Sequence, residues 1–182
     1  MNIVSTGFNG LFILEPKVLG DVRGYFMESF NRKTLLDNGI DVNFVQDNQS
    51  SSKRGVLRGL HFQNAPYAQT KLVRVLSGAI LDVVVDLREN QPTFGKHFSV
   101  EISAENKKQL LVPKGFAHGF IVLTSQAEVF YKSDEYYQPQ YEGGLLYNDP
   151  AIGIDWRISS EELILSERDK THLVLQKAKF NF

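Results

Sequence analysis

Residues 79–88 read AILDVVVDLR. In an extended chain Leu81, Val83, Val85 and Leu87 fall on one side, and Asp82, Asp86 and Arg88 on the other. The valine-rich composition favours a strand over a helix. Working outward, the same kind of segment recurs in LFIL (11–14), YFMESF (25–30), KLVRVL (71–76), HFSVEI (97–102), QLLVP (109–113), FAHGFIVL (116–123) and AEVFYKS (127–133). Turn residues separate them: Gly20-Asp21, Ser77-Gly78, Gln91-Pro92, Pro113-Lys114-Gly115 and Gly143-Gly144. Many short strands at such spacing predict an all-β sandwich or barrel, jelly rolls included. Two stretches predict short helical segments. NRKTLLDNG (31–39) starts at a capping Asn31 and stops at Gly39, and the tail 159–175 carries capping-type serines over a poor helical period.

The 182 residues suit one domain, 1–182, without linker, repeat or low-complexity run. With 20 Lys plus Arg against 21 Asp plus Glu, no global field selects nucleic acid or an anionic membrane, so any anion must be recognised locally. The absence of cysteine removes disulfides, thiolate metal sites and a thiol nucleophile together. No apolar run approaches a membrane span, and MNIVSTGFNG lacks the basic start and apolar stretch of a signal peptide. A cytoplasmic location is the expectation.

GVLRGLHFQ (55–63) places Arg58, His61 and Gln63 among strand-forming apolar residues. Buried polar groups are costly unless something pairs with them. Two elements, this one and PKGFAH (113–118), resemble the paired motifs of the cupin superfamily, whose His-x-His, Glu and final His bind a divalent metal. His61 and His118 fit the two end positions. Gln63 stands at the second histidine, and Lys71 stands at the glutamate. An ammonium beside a divalent cation is electrostatically wrong, and an amide is a poor substitute for imidazole, so no metal is expected. For His118, flanked by Phe116 and Phe120, a hydrogen bond inside the core is the expectation. Arg58, Gln63 and Lys71 around His61 point instead to an anionic ligand. Strict alternation puts Arg58 opposite His61; a bulge at Gly59 brings both to one cavity.

DVRGYFMESF (21–30), FVQDNQSSSKRGVLRGLHFQ (44–63), QTKLVRVLSGAILDVVVDLR (69–88), PTFGKHFSVEIS (92–103), VPKGFAHGF (112–120), NDPAIGIDW (148–156) and LSERD (165–169) occur in order. Together they resemble the dTDP-4-dehydrorhamnose 3,5-epimerase family, a metal-free cupin branch. The resemblance implies a cupin-type jelly-roll barrel. It also implies a homodimer without cofactor and a dTDP-4-keto-6-deoxyhexose substrate, converted from dTDP-4-dehydro-6-deoxy-D-glucose to dTDP-4-dehydro-L-rhamnose. Epimerisation beside a ketone needs a base, a cation at the carbonyl oxygen and an acid across the ring. By resemblance these are His61 backed by Asp169, Lys71, and Tyr131. Asp169 otherwise reads as a helix-start residue three after Ser166. Tyr131 shares a face with Val129 and points inward if Val129 does.

The resemblance further implies Arg23 and Arg58 at the phosphates, where guanidinium forks suit a diphosphate. Phe26 and Tyr137 match aromatic positions near thymine or sugar, and Glu28, Gln46 and Asn48 match polar contacts. Each also has a plain structural reading, as a turn, a solvated face or core. In the family an N-terminal segment crosses to the partner, so residues 21–28 are expected to serve the other subunit's site. A 3- or 5-epimerase or a ketoisomerase of the same branch is the alternative. A metal-dependent cupin dioxygenase and a non-enzymatic sugar-binding barrel stand further off.

Overall fold

The computed structural model describes residues 1–182. The chain runs through β1 (Asn2–Ser5), β2 (Phe12–Glu15), β3 (Val18–Asp21), β4 (Gly24–Met27), α1 (Arg32–Asp37), β5 (Gln46–Lys53), β6 (Leu57–Gln63), β7 (Lys71–Ser77) and β8 (Ala79–Asp86). It continues through β9 (His97–Ser103), β10 (Gln109–Val112), β11 (Phe116–Val122), β12 (Gln126–Ser133) and β13 (Glu142–Gly144). One sheet has the order β1-β2-β10-β7-β12-β5, the other β13-β6-β11-β8-β9, and β3 and β4 form a separate hairpin. All pairings within the sheets are antiparallel. This is the all-β sandwich the strand spacing predicts, in the cupin-like form the resemblance implies.

One core cluster lies between the sheets: Val73, Val75, Leu110 and Val129 from the first meet Ile80, Val84, Ile102 and Phe120 from the second. A second cluster covers the outer face of the β8 sheet. There Leu57, Leu60, Phe62, Leu81, Val83, Val85 and Leu87 pack under Leu145, Ile152 and Trp156 of the C-terminal segment. A third, Leu14, Leu72 and Leu111 with Leu35 of α1, covers the other sheet's outside. The alternation of AILDVVVDLR therefore has an unusual meaning. Its all-apolar face looks out to the C-terminal wrap, and the face carrying Asp82 looks into the barrel.

α1 forms where expected, with the Asn31 side chain accepting from the Thr34 amide and Gly39 at φ +79° beyond its end. The expected strand at 25–30 ends at Met27. The tail forms two one-turn 3-10 segments, Ser160–Glu162 and Asp169–Thr171. Strand β5, QDNQSSSK, carries no apolar pattern to announce it. It is an edge strand defined by continuous pairing with β12, from Gln46↔Ser133 to Lys53↔Gln126. Polar side chains suit such an edge because no sheet covers it. No helix is long and apolar enough to cross a membrane.

Candidate active site

A cavity of about 570 Å³ opens between the sheets. His61 and Arg58 enter it from β6, His118 from β11, Lys71 from β7, Tyr131 from β12 and Asn48 from β5; Ser166, Arg168 and Asp169 close one side. Arg58 and His61 share it because β6 bulges. The register pairs Phe120 with Arg58 and His118 with His61, so Gly59 and Leu60 stand opposite Gly119 alone. Gly59 has φ +121°, and a Cβ there would lie 2.6 Å from the Gly119 Cα, so only glycine fits. Arg58 Nε donates to Ser52 Oγ at 3.1 Å.

His61 Nε2 and Asp169 Oδ1 are 2.6 Å apart, joined by a hydrogen bond. The His61 side chain is 30% exposed and that of Asp169 only 5%. Burial raises the Asp169 carboxyl, but the His61 hydrogen bond and charge, with Ser166, outweigh it and hold the group below the ordinary carboxylate value. Its backbone amide donates to Ser166 Oγ at 3.1 Å. Thus the helix-start geometry expected of Asp169 sets its backbone, while its side chain is free to turn to His61. An anionic partner fixes the tautomer: Nε2 carries the proton, and Nδ1, which has no hydrogen-bond partner, keeps its lone pair.

Lys71 and Tyr131 stand on the facing sheet, the Lys71 ammonium 5.7 Å from the Tyr131 ring centroid. Burial pulls Lys71 down to about 8, against the upward pull of Glu142 and Asp82. Burial and then the Glu142 charge push the Tyr131 phenol up, so it remains a proton carrier. Val129 is buried and Tyr131 packs against the same intersheet cluster, as strand alternation predicts. The cavity therefore has an imidazole backed by a carboxylate on one wall, and an ammonium and a phenol on the other.

The expected core role of His118 needs extending. Its Nε2 lies 2.6 Å from Asp82 Oδ1, and Asp82 is fully buried, yet the ring also lines the cavity. Strand alternation places Asp82 on the polar face but gives no sign that it pairs with His118. Gln63, in contrast, does not crowd the cavity. Its amide donates to the Tyr67 and Tyr136 carbonyls at 2.7 and 3.2 Å and accepts from the Gln138 amide at 2.7 Å, tying two loops together.

Gln46 and Tyr137 sit beside the cavity rather than in its wall. Gln46 donates to Asn48 Oδ1 at 2.9 Å, and its own carbonyl accepts from the Tyr137 amide at 3.2 Å. The Tyr137 hydroxyl donates to Glu142 Oε2 at 2.5 Å, and Arg168 Nη2 meets the same oxygen at 2.6 Å. Neither Glu142 nor Arg168 carries a sequence signal for this site; chain separation hides both. Arg23, Phe26 and Glu28 are not brought to this chain's cavity. Arg23 pairs with Asp21 on the exposed β3–β4 hairpin, Phe26 is 70% exposed, and Glu28 accepts from Asn31 Nδ2 at 3.1 Å.

The ligating atoms of His61, Asp169 and His172 lie within 4.8 Å of one another. Donors held about 2 Å from a tetrahedral ion stand roughly 3.3 Å apart. The 2.6 Å His61–Asp169 separation is a hydrogen bond rather than a spacing open for an ion.

The sequence profile of the dTDP-4-dehydrorhamnose 3,5-epimerase family matches residues 5–177. A dTDP-4-dehydrorhamnose 3,5-epimerase of Shigella flexneri is 51% identical over 170 residues, 93% of each chain. The solved dTDP-4-dehydrorhamnose 3,5-epimerase of Elizabethkingia anophelis NUHP1 superposes with a TM-score of 0.93 at 48% identity, over 97% of each chain. The dTDP-6-deoxy-D-glucose-3,5-epimerase of Legionella pneumophila Philadelphia 1, solved with dTDP-4-keto-L-rhamnose, gives 0.92 at 47% identity over 97% of this chain and 93% of its own.

Proposed function

Since the chain belongs to the dTDP-4-dehydrorhamnose 3,5-epimerase family, we propose that its cavity inverts C3 and C5 of the 4-keto sugar by proton exchange between the two sheets. The chain is an isomerase of dTDP-rhamnose biosynthesis, converting dTDP-4-dehydro-6-deoxy-D-glucose to dTDP-4-dehydro-L-rhamnose. The observation that carries the mechanism is the His61–Asp169 pair facing Lys71 and Tyr131 across one cavity.

His61 Nδ1 takes the proton from the carbon beside the ketone, and the C–H electron pair moves into the C4 carbonyl. The imidazolium so formed is offset by Asp169, which stays ionised. Lys71 holds the oxygen where negative charge develops, a cation acting where reaction needs it. Tyr131 gives its proton to the opposite face of the sugar carbon. Each inversion leaves a protonated His61 and an ionised Tyr131, and exchange with water resets both before the next carbon reacts.

Arg58 is the anion anchor from β6, with Asn48 and Gln46 on the β5 side of the cavity and Tyr137 beside it. Arg23, Phe26 and Glu28 lie away from this chain's own site, and Val18, Leu19, Tyr25 and Phe26 expose apolar surface on the hairpin. We infer a homodimer in which residues 21–28 complete the nucleotide end of the partner's cavity.

Incubation with substrate in D₂O tests the reading. Deuterium enters both C3 and C5 with the wild-type chain, and His61→Asn slows entry at both by roughly 100-fold or more, the ordinary scale of a general base. Deuterium at one carbon only makes the chain a single-carbon epimerase. Undiminished exchange in the variant removes His61 as the base.

A further inference from the structure

His172 takes no part in the mechanism above, yet it lies behind the catalytic pair. The single 3-10 turn Asp169–Thr171 returns the chain so that His172 Nε2 stands 3.6 Å from Asp169 Oδ1, the oxygen that also serves His61. The two imidazole rings are 5.5 Å apart and nearly perpendicular, at 77°. The seat of the ring is built from β13. Gly144 pairs with His61, and a Cβ on Gly144 would lie 2.4 Å from His172 Cε1 and 2.5 Å from each ring nitrogen. The Leu146 amide, donating to the Leu173 carbonyl at 2.9 Å, fixes the next residue of the chain. Within this seat Nε2 is shut off from solvent and has no hydrogen-bond partner.

The charged groups around it are few. His61 approaches from β6, Glu142 from β13, and Arg168 and Asp169 from the tail; Lys179 lines the outer hollow into which the ring also faces. Burial first, then His61 and Arg168, hold His172 below the ordinary histidine value against the pull of Asp169 and Glu142. A buried polar atom without a partner, aimed at a catalytic carboxylate, calls for a role.

We propose that His172 is a positioning residue of the epimerase: as a neutral Nε2–H tautomer it steadies Asp169 for His61, and as a cation it takes Asp169 away from His61. In the neutral state the Nε2–H dipole points at Oδ1 and the ring keeps water off the carboxylate, so Asp169 remains an anion aligned on His61. In the protonated state Nε2–H becomes a charge-assisted donor to the same oxygen. The carboxylate is then shared between two imidazoles, and a second cation opposes the imidazolium that catalysis must form. Loss of activity in acid thus involves two protons rather than one. This rests on the assignment of His61 and Asp169 as the catalytic pair.

The test uses the intact chain with His172→Gln, which keeps a neutral donor, and His172→Leu, which removes it. Nitrogen NMR of the imidazoles in ligand-free wild type, near pH 8, is expected to find His172 as the Nε2–H tautomer; the Nδ1–H tautomer overturns the proposal. The acid limb of log kcat/KM is expected to steepen to a slope of about two below both macroscopic steps of the coupled pair in wild type, and to stay at about one in His172→Gln. The same limb in both overturns it. His172→Gln is expected within about threefold of wild-type kcat, whereas His172→Leu loses about tenfold in kcat with little change in KM, the effect of a misaligned catalytic group. Should His172→Leu fail to fold, the tautomer and the glutamine variant's acid limb still decide. A wild-type chain that exchanges no deuterium at C3 or C5 sinks the functional reading instead, and the tautomer measurement stands independently of it.

Discussion

In the proposed mechanism Tyr131 and Lys71 act on the same developing enolate from the same sheet, and their variants separate the two roles. Tyr131→Phe removes one hydroxyl and leaves the ring packed against the core, so the fold stays intact. His61 can still take a proton and return a deuteron to the same face. The expected outcome in D₂O is deuterium entry without inversion, with epimerisation down about 100-fold or more; equal loss of exchange and inversion refutes the division of labour. Lys71 titrates at about 8, lowered first by burial. It is a cation below that pH and loses its charge above it. The basic limb of kcat/KM, which reports the free enzyme, is therefore expected near pH 8. Lys71→Arg, charged throughout this range, is expected to lower kcat/KM but move the limb upward; an unmoved limb assigns it to another group. The types of these residues were legible in the sequence, and the family resemblance gave them roles. Glu142, which bears on Lys71 and Tyr131 through its charge, was not legible, because only the β6–β13 pairing brings it near.

The bulge in β6 decides which way each of its side chains points. Leu57, Leu60 and Phe62 face the C-terminal wrap, while Arg58 and His61 face the cavity. A regular strand cannot do both. Gly59→Ala puts a methyl 2.6 Å from the Gly119 Cα and 2.8 Å from the His118 carbonyl, at a positive φ that alanine avoids. The expected cost exceeds about 1 kcal/mol of stability, read as a lower urea midpoint, together with a fall in kcat. A variant with wild-type midpoint and rate shows that β6 does not need this geometry. The bulge was inferable from the clash between alternation and two polar side chains in RGLH. Strand β5 was not inferable, because its pattern is that of a polar loop and its strand character comes from β12 alongside.

At the scale of the whole molecule, the β3–β4 hairpin stands away from the chain's own cavity with Arg23 on it. In the proposed homodimer each hairpin serves the partner's site. Arg23→Ala and His61→Asn then complement one another. A heterodimer formed by subunit exchange holds one intact site, so an equimolar mixture is expected to recover about one quarter of wild-type activity by random pairing. A mixture no more active than its components places Arg23 outside the partner's site. The sequence by itself determined the apolar strands such as β7, β8, β11 and β12, since their periodicity, valine content and turn residues are local properties. It also supplied the residue types the chemistry needs. The tertiary structure alone decided which face of β8 is inside, because two apolar layers compete to cover a sheet and the C-terminal segment takes one of them. It likewise decided that Asp169, and behind it His172, meet His61. That meeting depends on where the tail closes over the sheet, and contacts between distant segments follow from packing rather than from any pattern along the chain.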